Sequence, residues 1–242
     1  MTCTMEFRTR IYLIMKKKKQ TKKEETRQEF FSEYFSTPIW NTSIPEWVDE
    51  LNVACKPYLD ESHERHAEAI KKNKGDDFGL VYHSTNIQYD PKLEDFCNYL
   101  IQTGWNLLDS WGNNMTDYSL FFHSCWVQEF AKNGGGHHRV HIHENCHLSG
   151  FYFLQNEDSS YPLFHDPRPG KEMMALPQKD ESVISPSTRV VNYQPRPGDL
   201  YIFPSYLPHE YVVSRGGKFR FIHFNIQAVS NRMLNSREGG IG

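Results

Sequence analysis

The sequence predicts an α+β fold that is mainly β, with helices in its first half and a β-sandwich, jelly roll or small barrel in its second. Three observations carry this. Between Pro91 and Trp111 the apolar residues Leu93, Phe96, Leu100, Leu107, Leu108 and Trp111 recur at helical spacing, so one face of a helix is buried. After Gly112 the texture changes to short apolar runs separated by clusters of glycine, proline and asparagine. Strands do not alternate with helices in that half, which disfavours a doubly wound parallel sheet.

Each element has a local reason. Ser43 before Pro45 reads as a helix cap and first turn leading into Trp47, Val48 and Leu51. Asp60 to Lys74 is polar and helix-prone, and Gly75 ends it. The expected strands are Tyr118–Phe130, Arg139–His143, Leu148–Leu154, Pro162–Asp166, Thr188–Tyr193, Asp199–Phe203, Glu210–Val213 and Phe219–Gln227. The turns between them fall at Asn133–Gly136, Asp166–Gly170, Pro195–Gly198 and Arg215–Gly217.

Composition bounds the rest. Of 242 residues, 38% are apolar and 24% charged, with 16 Phe, 13 Tyr and 5 Trp, enough for a sizeable core in a single domain. A net charge of −3 excludes a globally basic nucleic-acid binder. No apolar run reaches the roughly 18 residues needed to span a bilayer. Five widely spaced cysteines without a CxxC exclude a disulfide scaffold and a cysteine zinc site, and a reducing cytoplasm is expected. Residues 1–30 hold nine Lys/Arg against four Asp/Glu, most of them in Lys16–Lys19, Lys22 and Lys23. Residues 1–29 are therefore expected to be a flexible basic arm, the only part suited to touching phosphates. Met15 would also serve as an initiator.

Histidine is the chemical outlier. There are twelve, five of them between His137 and His147. On a strand, His141 and His143 face the same side, and two neutral imidazoles on one face chelate a first-row divalent metal. A third ligand must come from elsewhere, and His209, just after an apolar strand, is the best candidate. Arg220 shares its strand face with Ile222, Phe224 and Ile226, and a guanidinium on an apolar face needs an anion. That anion is either an internal carboxylate or the carboxylate of a bound acid. Tyr152 lies among Leu148, Gly150 and Leu154, with a hydroxyl able to donate to the same acid or simply a ring that packs in the core.

From His141 to Asn225 the sequence resembles the iron(II)- and 2-oxoglutarate-dependent oxygenases, most of all a branch found in phages and marine bacteria. The segments that carry the resemblance are HIHENCHLSGFYFL (141–154), FHDPRPG (164–170), PRPGDLYIFPSYLPHEY (195–211) and RFIHFN (220–225), with FSTPIW (35–40) as the opening. The resemblance implies a double-stranded β-helix, a jelly roll, with the N-terminal helices packed on one outer side. It implies one domain over 30–230 (helical 43–112, jelly roll 117–228) followed by a flexible tail over 231–242. It implies Fe(II), 2-oxoglutarate as co-substrate and O2, with His141 and His209 as iron ligands, Arg220 on the co-substrate's far carboxylate and Tyr152 as a second co-substrate contact. Most of the superfamily has HxD or HxE, so His143 is a departure toward a three-histidine site, with Glu144 as the other candidate for that position. Ile222 stands where many relatives carry a small hydroxyl residue. Trp126, Gln128 and Arg168 are candidates for the substrate pocket, while His137, His138 and His147 flank the site.

The expected activity is hydroxylation of a C–H in an unknown substrate, a small molecule or a protein side chain, with release of succinate and carbon dioxide. Two other readings stay open: a three-histidine cupin-type (thiol) dioxygenase that needs no 2-oxoglutarate, and a non-catalytic jelly-roll binding or structural protein.

Overall fold

A computed structural model describes residues 35–157, 160–214 and 217–238. The basic arm over 1–29, with Lys16–Lys23, and residues 239–242 lie outside the described residues.

Two antiparallel sheets face each other. The larger runs β1 (Trp40–Ser43), β7 (Asp199–Pro204), β4 (Leu148–Asn156), β9 (Phe219–Ser230), β3 (Tyr118–Phe130) and β2 (Val81–His83), in that spatial order. The smaller runs β6 (Val190–Asn192), β5 (Tyr161–His165) and β8 (His209–Val212). Helices α1 (Val48–Lys72) and α2 (Glu94–Ser110) cover the outer face of the larger sheet, the short α3 (Pro169–Met173) follows β5, and α4 (Asn231–Glu238) follows β9. This is the mainly β jelly-roll arrangement with outer helices that the sequence predicts.

Several elements differ from expectation. The two helices expected around Trp47 and Asp60–Lys74 are one helix of 25 residues, α1, entered from a 3-10 turn at Pro45–Trp47. Ser43 is not its cap; it is the last residue of β1. Pro57 lies inside α1, where it cannot donate to the carbonyl of Val53. Both residues are exposed, so the missing bond lies on the solvent side of the helix. Buried Leu51, Ala54, Cys55 and Leu59 form the inner stripe. Arg139–His143 is not a regular strand; only His141 pairs, in a single bridge to His209. Where a tail was expected from 231, the chain forms α4.

The larger sheet is buried on both faces, and that decides where chemistry sits. Leu148, Tyr152 and Leu154 of β4, Leu200 and Ile202 of β7, and Ile222, Phe224 and Ile226 of β9 pack against α1 and α2. The alternate residues, Phe151, Phe153, Tyr201, Phe203, Phe219 and Phe221, pack between the sheets with Phe130, Phe164 and Tyr211. Close contact on the helix side uses Gly104 of α2, where a Cβ would sit 3.1 Å from Leu148 Cδ1.

Candidate metal centre

His141, His143 and His209 stand together at one end of the space between the sheets, with one ligand atom from each within 4.8 Å of the others. Backbone pairing brings them there. His141 and His209 exchange two N–H···O bonds of 3.1 and 3.0 Å, and the His143 N–H donates to the Ser205 carbonyl at 3.0 Å. The rings of His141 and His209 are 4.4 Å apart, those of His141 and His143 5.0 Å, and those of His143 and His209 5.1 Å.

The tautomers are set by what backs each ring. His141 Nδ1 lies 2.7 Å from the Arg139 carbonyl, and His209 Nδ1 lies 3.0 Å from the Leu207 carbonyl. A carbonyl only accepts, so each Nδ1 carries the proton and each Nε2 is a free lone pair. His143 Nε2 is 3.3 Å from His209 Nε2. Two nitrogens bound cis on one metal at about 2.1 Å sit about 3 Å apart, so these atoms are nearly at chelating separation. Burial pushes the pKa of His143 down to about 4 and that of His209 down to about 3. Both are therefore neutral near pH 7, the form that binds a metal. The donor set of three imidazoles fits an iron(II) ion, with further positions left for other ligands. Glu144 is exposed and is not part of this group.

Arg220 and Tyr152 are not brought to the histidines. Both stand on the helix face of the sheet. The Arg220 guanidinium donates to Glu129 through Nε at 2.7 Å and through Nη2, and to Asn52 Oδ1 of α1 through Nη1 at 2.7 Å. Its anion is thus the internal carboxylate. His63 Nε2 also meets Glu129, at 3.0 Å. This cluster borders a cleft of about 730 Å³ beside α1, on the other side of the sheet from the metal group. The Tyr152 hydroxyl donates to the Ile44 carbonyl at 2.6 Å, and its ring packs on Phe96 at 5.1 Å. No lysine or arginine is fully buried among the described residues, and the mostly covered Arg220 is spent on Glu129, on the helix face.

Trp126 and Gln128 do face the interior. The Trp126 ring lies 6.3 Å from that of His143, and its Nε1–H donates to Gln128 Oε1 at 3.3 Å. Arg168 is instead held by Asp166, through Nε at 2.9 Å and Nη2 at 2.7 Å. Of the flanking histidines, His138 has its ring 5.3 Å from that of His141, while His147 Nδ1 accepts from the Ala228 N–H at 3.0 Å, and His137 is exposed.

Two residues near the histidines carry no assigned chemistry from sequence, where Asn225 reads only as a cap of the last strand. His223 is only 1% exposed, and its ring lies 4.6 Å from that of His143 and 4.3 Å from that of Trp126. Burial pushes its pKa well below the ordinary histidine value. Asn225 places its amide 3.3 Å from His143 Nδ1. The signal available was their parity: residues 219, 221, 223 and 225 share the face opposite to Arg220.

Residues 124–225 match the family model described as "Putative 2OG-Fe(II) oxygenase". No curated protein matches the chain. Among solved structures, a Pseudomonas putida prolyl-4-hydroxylase aligns at 10% identity and a TM-score of 0.48, covering 79% of this chain and 94% of that one. AviO1 from Streptomyces viridochromogenes Tue57 aligns at 14% identity and a TM-score of 0.48, covering 79% and 90%. A Trichoplax adhaerens prolyl hydroxylase, solved with a hypoxia inducible factor peptide fragment, aligns at 11% identity and a TM-score of 0.46, covering 82% and 86%. By this family match residues 124–225, which hold the three-histidine group, are similar to the iron(II)- and 2-oxoglutarate-dependent oxygenases, non-haem iron dioxygenases that use Fe(II), 2-oxoglutarate and O2.

Proposed function

We propose that this chain hydroxylates a C–H bond of a substrate at an iron(II) held by His141, His143 and His209, converting 2-oxoglutarate and O2 to succinate and carbon dioxide. One observation carries the reading: three buried or half-buried imidazoles bring one ligand atom each within 4.8 Å of the others, with the Nε2 atoms of His143 and His209 3.3 Å apart, in a segment matching this family. When bound, the iron supplies the redox chemistry, in which O2 oxidises both the co-substrate and one substrate C–H.

The chain's own residues do the rest. The carbonyls of Arg139 and Leu207 fix two of the rings in the ligating tautomer. Phe151 and Phe203, whose rings lie 5.5 and 5.2 Å from that of His209, wall the site with apolar surface and exclude water. Trp126, at the half-buried rim, is placed to orient a substrate. The substrate is a small molecule or a protein side chain; the basic arm is the one part suited to nucleic acid. No described helix is long and apolar enough to cross a membrane.

The test is anaerobic titration of the iron(II)-loaded protein with 2-oxoglutarate, following the weak visible charge-transfer band of a chelated 2-oxo acid, then O2-dependent succinate formation. A saturable band and succinate are expected. Bound iron with neither band nor succinate overturns the reading. One observation favours a second reading in that event: with Arg220 committed to Glu129, a three-histidine dioxygenase that uses no 2-oxoglutarate needs no further cation.

A further inference from the structure

Six buried side-chain nitrogen or oxygen atoms lack a hydrogen-bond partner among the described residues, and three of them belong to His223 and Gln128. Both residues are 1% exposed. Both stand on the inner face of the larger sheet, on neighbouring strands, where Trp126 pairs with His223 and Gln128 with Phe221. A buried donor left unsatisfied costs about 1–3 kcal/mol, so His223, its ring 4.6 Å from that of His143, and Gln128 on the same sheet face point to a ligand that satisfies them.

The chemistry of that ligand follows from the donors. Indole Nε1–H can only donate, so the Gln128 amide must turn its oxygen to Trp126. Its NH2 is then left facing no acceptor. His223, whose two ring nitrogens both lack a partner, carries at least one N–H in any protonation state. The neighbouring Asn225 amide is committed to Ser149, Ser124 and His143 and gives His223 no aligned hydrogen bond. Unpartnered donors on one sheet face suit an acceptor-rich anion. Charge agrees: three neutral imidazoles leave an iron(II) its full double positive charge, and a dicarboxylate dianion cancels it without any arginine.

We propose that His223 and Gln128 receive a carboxylate of the 2-oxoglutarate bound at the three-histidine centre, the role expected of Arg220. This rests on the oxygenase reading above. It makes Arg220 a structural residue of the helix face and explains how the interior serves an anionic co-substrate without a buried Lys or Arg.

The experiment is calorimetric titration of 2-oxoglutarate into the anaerobic iron(II)-loaded full chain, after iron(II) affinity has been measured on the same proteins. Gln128→Leu and His223→Phe are expected to bind iron normally and 2-oxoglutarate roughly ten- to a hundredfold more weakly. Arg220→Met/Glu129→Leu, which removes the helix-face pair without stranding a charge, is expected to bind 2-oxoglutarate as wild type does. Should His223→Phe disturb the fold, seen as lost near-ultraviolet dichroism, Gln128→Leu alone decides. Unchanged 2-oxoglutarate affinity in Gln128→Leu, or loss of affinity in the helix-face double variant, overturns the assignment. Weakened iron binding in His223→Phe would make it a metal ligand, which also overturns it. Wild type that binds iron but not 2-oxoglutarate defeats the oxygenase reading itself, a result distinct from the others.

Discussion

His143 Nδ1 lies 3.3 Å from the side-chain amide of Asn225, whose oxygen accepts from Ser149 at 2.6 Å and whose nitrogen donates to Ser124 at 3.0 Å. A metal on His143 Nε2 forces the proton onto Nδ1, and an N–H cannot face an amide nitrogen. Loading therefore requires the amide to present its oxygen. Both serines permit the half-turn, because a hydroxyl donates or accepts with equal ease. All three ligands would then be backed by an oxygen. Asn225→Leu should weaken iron(II) binding by roughly ten- to a hundredfold while the metal-free protein stays folded. Competition against a coloured chelator measures this; wild-type affinity in the variant would remove Asn225 from the site.

The ligand set makes its own prediction. A structural metal site yields roughly 3 kcal/mol per ligand, so His141→Ala and His209→Ala should each lower iron(II) affinity by about a hundredfold or more. Glu144→Gln should change nothing, because Glu144 is exposed and outside the group. Equal losses in Glu144→Gln would return the carboxylate to the coordination sphere.

Metal-free protein should lose stability as the pH falls below about 6.5. His143 and His209 have folded pKa values of about 4 and about 3, below the ordinary 6.5, because burial disfavours the charged ring. The unfolded chain then binds more protons across that window. The contribution of these groups is complete above 6.5 and is lost as pH falls toward the folded values. The slope is roughly 1.4 kcal/mol per pH unit for each histidine that titrates only on unfolding. Urea midpoints between pH 7.5 and 5 measure it, and a flat profile would contradict the buried, neutral state of these rings.

The Arg220–Glu129 pair bears on stability rather than on the metal. Both side chains are largely buried, 15% and 8% exposed. Arg220→Met strands the Glu129 carboxylate and should cost about 3–5 kcal/mol, whereas adding Glu129→Leu should recover most of that loss. Urea unfolding of the single and double variants tests this, with iron(II) affinity unchanged in the double. A single variant as stable as wild type would mean that water solvates Glu129.

This pair also explains what was legible in the sequence. The jelly-roll strands are spaced by glycine and proline turns, and His141, His143 and His209 stand out by residue type. The face of β9 did not stand out. A strand covered on one side only alternates apolar and polar, but β9 is buried on both sides and reads as an almost continuous apolar run. Arg220 among Ile222, Phe224 and Ile226 therefore looked like a charge in the ligand-binding interior, when that face is the one beneath α1 and α2. His223 and Asn225, one register step away, hold the interior positions. β1 and β2, of four and three residues, are too short to show a period.

Cysteine reactivity tests the two-sided burial independently of the metal. Burial raises Cys55 to about 12 and Cys97 to about 11, and lifts fully buried Cys125 well above the ordinary thiol value. All three lie on the helix side of the larger sheet. A thiol of pKa 11 is about one part in a thousand thiolate at pH 8, and only the thiolate attacks. Cys146 is only half-buried; burial raises its thiol too, with side-chain hydrogen bonds acting in the opposite direction. Iodoacetamide at pH 8 should therefore label Cys146 first among these four, with the other three reacting only as the chain unfolds in urea. Peptide mass mapping reads each site. Labelling of Cys125 in the folded protein at the rate of Cys146 would mean that α2 lifts from the sheet without global unfolding, and the helix layer would then be a separate, weaker unit than the jelly roll it covers.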